Sequence, residues 1–318
     1  MAFSKRLLQC AFAAAVGGMS MTTQALNILI SNDDGLTSNV KALYDTLTAA
    51  GHDVVVSVPC TNQSGRSGAL VMYNFSTVSA TNDAQAASGC RSGAAAVGDP
   101  AFGPMTKAGF NTGDYYYVHG TPVMATMYGI DVVAQAAWGK DPDLVLSGPN
   151  EGPNVGKLGT NSGTVGNVQM AAGRGIPAIA LSAGSATRDD VNLAHPSSPI
   201  IAQLTKQLVD TLIAKAGNGP LLPSRLALTV NFPDVLTAST PFAFARMGTY
   251  ELITPLKFRS TNPGYGASLN PDTPTAAQAE DESVVYRDRI SVAAMQLGFE
   301  QRPAGQEWLR LRLKDLLQ

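Results

Sequence analysis

Six short apolar runs limit what this chain can fold into. They are "LNILIS" (26–31), "DVVVSV" (53–58), "YYYV" (115–118), "DLVLSG" (143–148), "IPAIALS" (176–182) and "LALTVNF" (226–232). "DVVVSV" is apolar at successive positions rather than alternating. That is the mark of a strand covered on both faces, as in parallel sheets flanked by helices. Helical patterns lie between the runs. Val40, Leu43, Tyr44 and Leu47 form one stripe, capped by Ser38 or Asn39 and ended by Gly51. Thr121 followed by Pro122 starts a second helix reaching Trp138, its threonine hydroxyl as the cap, with Gly139 as terminator. Helices are also expected near 163–174 and 198–216. Strand–helix alternation of this kind predicts βαβ units and a mainly parallel, doubly wound α/β sheet.

Two segments break the alternation. "ALVMYNFSTVSA" (69–80) predicts a longer strand leaving the core, and 80–113, rich in Ala, Gly, Ser and Asn, predicts a surface insertion. The expected organisation is a core over 26–235 and a C-terminal extension over 236–318, with a hairpin and a final helix in "GQEWLRLRLKDLL". At the N-terminus, Lys5 and Arg6 precede the short apolar run "LLQCAFAAAVGGMSM" and the small-residue site "TTQA". This predicts a signal peptide over 1–25 and a periplasmic or secreted protein. Cys60 and Cys90 then remain, and one disulfide is expected in an oxidising compartment; two unrelated thiols are the alternative. A net charge of −2 with 14% charged residues shows no basic footprint for a nucleic-acid partner. No membrane partner is expected either.

In an open parallel sheet, ligands bind beyond the carboxyl ends of the strands. Three polar loops leave such ends: "SNDDG" (31–35), "PCTNQSGRSG" (59–68) and "SGPNEGPNVGKLGTNSGTVG" (147–166). Asp33 and Asp34 can cap a helix, but one carboxylate suffices for that; two adjacent ones accumulate charge that a cation would relieve. Oxygen ligands of this type suit Mg²⁺, Mn²⁺ or Ca²⁺. Ser64 offers a hydroxyl or a simple turn. Asn150 and Asn154 are turn residues or ligands. Ser162, Gly163 and Thr164 precede a small-residue helix and form either a phosphate cradle or an ordinary cap. His119, at a strand end, is a general acid or a structural histidine. No G-x-S-x-G elbow and no G-x-x-x-x-G-K-[ST] loop occurs in the sequence.

Together "ILISNDDG", "NQSGRSG", the "GTP" at 120–122, "DLVLSGPNEGPNVG" and "SGTVG" occur in an order that resembles SurE-type survival proteins, the divalent-metal 5′/3′-nucleotidases and acid phosphatases. The resemblance runs over about 27–183, with fainter echoes in "LTVNFPD" and "ISVAAM". It implies a Rossmann-like three-layer αβα fold, a C-terminal extension that builds homodimers or homotetramers, and metal-dependent hydrolysis of phosphomonoesters. It further implies one divalent cation per subunit, Mg²⁺ or Mn²⁺ with Ca²⁺ as an alternative, held by Asp33, Asp34, Ser64 and Asn150. Asn32, Asn154, Ser162, Gly163 and Thr164 would hold the phosphate, and Asp33 or Asp34 would act in catalysis. Two departures stand out. The sequence reads "GTPVMAT" where the family commonly has Asp and Cys, and Glu151 occupies a position expected to be small or basic. With the leader and the long 80–113 segment, these features resemble a secreted, acid-phosphatase-like branch. A broad-specificity phosphatase and a non-catalytic metal- or phosphate-binding protein are the competing functions.

Overall fold

A computed structural model describes residues 24–73, 75–80, 86–189, 192–253, 257–258, 265–266, 269–298, 303–314 and 316. The expected leader falls almost wholly outside them. In chain order the elements are β1 (Asn27–Ser31), α1 (Ser38–Ala49), β2 (Asp53–Pro59), β3 (Phe102–Pro104), β4 (Tyr115–Val118), α2 (Pro122–Tyr128) and α3 (Gln135–Trp138). β5 (Leu144–Glu151), α4 (Gly163–Gly173), β6 (Ala178–Ala183), α5 (Ser198–Ala216), β7 (Leu226–Asn231) and β8 (Phe242–Ala245) follow. The chain closes with β9 (Lys257–Phe258), β10 (Tyr265–Gly266), α6 (Glu282–Val285), β11 (Ile290–Gln296) and α7 (Pro303–Arg312).

Among the described residues the main sheet has nine strands, in the order β3-β4-β2-β1-β5-β6-β7-β11-β8. From β4 to β7 every neighbouring pair is parallel. β3 runs antiparallel to β4, and β11 antiparallel to β7. The α/β class is therefore as expected. β1 lies inside the sheet between β2 and β5, and the chain builds outward from it first on one side, through β2, β3 and β4, and then on the other, through β5, β6 and β7. That reversal places the switch point at the carboxyl end of β1, where "SNDDG" begins. Ile28 and Ile30 enter the core cluster that includes Val40, Leu43, Ile201 and Val209 of α1 and α5. Leu29 enters the other, with Val165 and Val168 of α4. All three are fully buried, worth roughly 1.5–3 kcal/mol each relative to exposure. Both layers thus grip the strand that aims the two aspartates.

Several local expectations are corrected. Thr37, not Ser38 or Asn39, caps α1 by accepting Val40 N–H at 3.2 Å. Ser38 and Asn39 turn inward instead, where the Ser198 hydroxyl reaches both, at 3.0 and 2.6 Å. Thr121 supplies no cap to α2, because its hydroxyl donates to Ala69 O at 2.6 Å. The helical run to Trp138 is continuous but passes through a π-turn at Gly129–Ala134. Gly129 lies so close to β1 that a Cβ there would sit 2.7 Å from Leu29 Cδ1.

The described part of 69–80 is no strand; it makes isolated bridges from Met72 to Gly120 and from Thr77 to Pro100. The sheet position beside β4 is already taken by β3. Nor is 86–113 a surface insertion. Cys90, Ala94, Ala95, Met105 and Phe110 belong to the main core, and Arg91 is only 1% exposed. Cys60 and Cys90 form the disulfide that ties this segment to the end of β2. Beyond 235, β8 and β11 extend the same sheet, β9 and β10 form the small hairpin, and α7 has no buried residue.

Candidate metal and phosphate site

The loop after β1 is shaped by Asn32. Its Nδ2 donates to Gly35 O at 2.7 Å while its Oδ1 accepts Gly35 N–H at 3.1 Å. Gly35 has φ +87°, and a Cβ there would press on Arg91 Cβ and Pro59 O at 3.2 Å. Asn32 is fully buried and acts as a turn builder. The structure does not turn it toward a phosphate.

Asp33 and Asp34 are each 2% exposed and engage different elements. Asp33 Oδ1 accepts the Thr164 hydroxyl at 2.7 Å, at the start of α4. Asp34 Oδ2 accepts Glu151 N–H at 2.8 Å, at the end of β5. Asp34 Oδ1 accepts Asn62 Nδ2 at 2.8 Å and the exposed Ser64 hydroxyl at a long 3.4 Å. The three polar loops therefore converge on two adjacent carboxylates.

The third loop is set by a register irregularity between Ser147 and Asn150, where β5 leaves regular pairing with β6. Asn150 Nδ2 donates to Gly152 O at 2.7 Å, but its buried Oδ1 has no partner among the described residues. Asn154 Nδ2 donates to Ser182 Oγ at 2.9 Å and approaches Thr164 Oγ1 at 3.4 Å. Its backbone is fixed by Asn231 Oδ1 at 2.8 Å. Ser162 is the N-cap of α4, accepting Val165 N–H at 3.2 Å. Gly163 follows, and a Cβ on it would lie 2.7 Å from Asp33 Cβ and 2.8 Å from Pro122 Cγ. Only glycine lets this helix start approach the aspartate so closely.

Burial and the neighbouring charge of Asp34 push the Asp33 carboxyl up to about 7 from its ordinary 3.8. Burial likewise raises Asp34, opposed by the Glu151 N–H bond and by the charges of Arg91 and Arg188. Two desolvated like charges are costly unless a cation lies between them. The oxygen donors of Asp33 and Asp34, with the orphaned Asn150 Oδ1, fit a hard divalent cation. Ser64 is placed to join them. Among the described residues, no group of three or more His, Cys, Asp or Glu is arranged to hold a metal. Further ligands would be amide, hydroxyl or water oxygens.

Asn62, Arg91 and Asn167 were not singled out for the site from sequence. Asn167 Nδ2 donates to Asn32 O at 3.1 Å and to Ser147 Oγ at 3.0 Å, joining β1 to β5. Only the position of Asn62 in the polar loop after β2 signalled its role. His119 packs near the Tyr73 ring, at 6.0 Å between centroids, and hydrogen-bonds at the Thr77 backbone. Cys60, in its disulfide, offers no thiol.

Fold and site together define a doubly wound α/β protein with a two-aspartate oxygen site at its strand switch point. The chain belongs to the SurE family: the model of that family, described as Survival protein SurE, matches residues 28–253. An acid phosphatase of Yarrowia lipolytica is 34% identical over 215 residues, covering 65% of this chain and 57% of that protein. A 5′-nucleotidase SurE of Paramagnetospirillum magneticum is 30% identical over 282 residues, covering 85% of this chain and 90% of that one. The crystal structure of the SurE protein from Aquifex aeolicus shares the fold at a TM-score of 0.62 and 24% identity, over 90% of this chain and 99% of that chain.

Proposed function

We propose that this protein is a metal-dependent phosphomonoester hydrolase that releases phosphate from nucleoside 5′- or 3′-monophosphates. The observation that carries the reading is the pair of buried aspartates, Asp33 and Asp34, set against the start of α4, with Glu151 bonded to Asp34 and the preceding Asn150 keeping a buried Oδ1 unpartnered among the described residues. Asp33, Asp34 and Asn150, with Ser64 at the rim, hold one Mg²⁺ or Mn²⁺, or Ca²⁺. When bound, that ion neutralises phosphoryl charge and acidifies a water. Ser162, Gly163 and Thr164 bring the positive end of the α4 dipole to the phosphate. Asn154 lies beside them, its Nδ2 shared between Ser182 and the long contact to Thr164 that a phosphate oxygen would replace. These donors stabilise charge on the phosphoryl oxygens during in-line transfer. Asp34 is tied through both carboxylate oxygens. Asp33 is therefore the carboxylate that orients or deprotonates the attacking water.

The protein acts in the periplasm or outside the cell. The N-terminal pattern and the Cys60–Cys90 disulfide, which persists in oxidising compartments, support that placement. It assembles as a homodimer or homotetramer. Trp308, Leu309 and Leu311 of α7, all at least half exposed, support burial against another subunit.

The test is phosphate release from nucleoside 5′- and 3′-monophosphates and from simple phosphomonoesters. It is run with Mg²⁺ or Mn²⁺, with chelator, and on Asp34→Asn. Chelator-sensitive release abolished by the substitution, with nucleotides preferred, is expected. Equal release from all esters would favour a broad acid phosphatase, in line with the Yarrowia relative. No release from a protein that still binds the ion would overturn the hydrolase reading.

A further inference from the structure

We propose that Arg91 is a positioning residue for the cation site, clamping the loop after β1 to the end of β5 and so fixing Asp34 relative to Asn150. The inference rests on the metal reading above. Arg91 Nη1 donates to Asp34 O at 3.0 Å, and Nη2 donates to Glu151 Oε1 at 2.8 Å. Both side chains of this ion pair are nearly inaccessible, at 1% and 3%. Glu151 in turn donates its N–H to Asp34 Oδ2 at 2.8 Å, and its carbonyl accepts Arg188 Nε–H at 2.8 Å. Asp34 is thus gripped at its carbonyl by Arg91 and at its carboxylate by the residue that Arg91 holds. Glu151 directly follows Asn150, whose Oδ1 has no partner among the described residues. One guanidinium therefore joins the strand ends that supply two of the proposed ligands.

The far end of Arg91 is anchored as firmly. Its N–H donates to Cys60 O at 2.7 Å, and the residue before it is bonded to Cys60 through the disulfide. Its side chain lies over Gly35, within 3.2 Å of where a Cβ would stand. Asp33, Asp34 and Glu151 bring three carboxylates into one buried region, where Arg91 pairs with Glu151 and Arg188 lies close enough to act on Asp34. A guanidinium suits the task because its planar fork serves two acceptors at fixed spacing, which an ammonium cannot. A buried pair is weak grounds for stability alone, since apolar or neutral replacements are often tolerated. What such replacements lack is the donor to Asp34 O.

That difference supplies the test. The purified protein, Arg91→Met, Arg91→Lys and the double variant Arg91→Met/Glu151→Gln are titrated with Mn²⁺ by calorimetry. They are also melted in chelator and assayed for kcat and KM. The double variant leaves no unpaired charge and is expected to regain most of the melting temperature that Arg91→Met loses. Its Mn²⁺ affinity is expected to stay about 10–100-fold below wild type, the usual loss when a group orienting a metal ligand is removed. Wild-type affinity in the double variant would overturn the proposal. Should that variant fail to fold, Arg91→Lys decides: weakened Mn²⁺ binding at a near-native melting temperature supports the clamp, and unchanged binding overturns it. Wild-type protein that binds no Mn²⁺ would instead overturn the cation reading, and the clamp with it. Binding without phosphate release would overturn only the hydrolase, leaving the Mn²⁺ comparison to judge Arg91.

Discussion

Asp33→Asn is expected to stabilise the metal-free protein while abolishing its activity. A carboxyl whose pKa rises from 3.8 on unfolding to about 7 when folded disfavours its own charge by about 4 kcal/mol at pH 8. The folded state then holds more protons than the unfolded state between those values. The penalty is therefore absent at low pH and grows as pH rises through this window. Asparagine removes the charge but keeps an oxygen to accept the Thr164 hydroxyl. Allowing for local relaxation, about half the penalty should be recovered, or roughly 4 °C at about 2 °C per kcal/mol. The assay is thermal melting of both proteins in chelator from pH 5 to pH 8. The variant should melt higher at pH 8, with the gap narrowing toward pH 5. Adding Mn²⁺ should reverse the order, because only the wild type gains binding energy. A variant that melts lower than wild type at pH 8 in chelator would refute the argument that the aspartates repel.

Other residues give independent predictions. Gly163→Ala places a methyl 2.7 Å from Asp33 Cβ, so it should cost about 1–3 kcal/mol by overpacking and depress kcat; melting and phosphate release check both. Glu282, buried with Oε2 unpartnered among the described residues, is pushed up to about 8 by desolvation. Wild-type stability should therefore fall as pH rises from about 4.5 to 8, and Glu282→Gln should flatten that slope in urea titrations. Cys60→Ser/Cys90→Ser opens a link across a sequence separation of 30 and should lose about 3–4 kcal/mol by chain entropy, read by denaturant unfolding. Removing residues 303–318 should shift the assembly toward monomer in light scattering, if α7 is covered in the oligomer as proposed.

The strands and the switch point were legible because they depend on local patterns. Continuous apolar runs and intervening amphipathic stripes identify a covered parallel sheet, and β1, β2, β4, β5, β6 and β7 follow them, whereas β3 does not. "SNDDG" was legible because paired carboxylates at a strand end have few structural reasons to be there. What escaped were facts set by tertiary competition. Residues 69–80 carry strand-like residues, yet β3 holds the sheet position beside β4. The segment 86–113 lacks periodicity because a disulfide and isolated buried residues hold it, rather than a repeating face. Arg91 stood within it as one arginine among small residues, and only folding brings it to Glu151. Glu151 itself looked out of place in sequence, and its buried partner explains why the position tolerates a carboxylate.

The most direct measurement strips the wild-type protein of metal with chelator and restores Mn²⁺ stepwise while phosphate release from a nucleoside 5′-monophosphate is followed. The account predicts no release at the start and saturation at one ion per chain, with Asp33→Asn silent throughout. Release that persists undiminished in chelator, or that survives in Asp33→Asn, would contradict it.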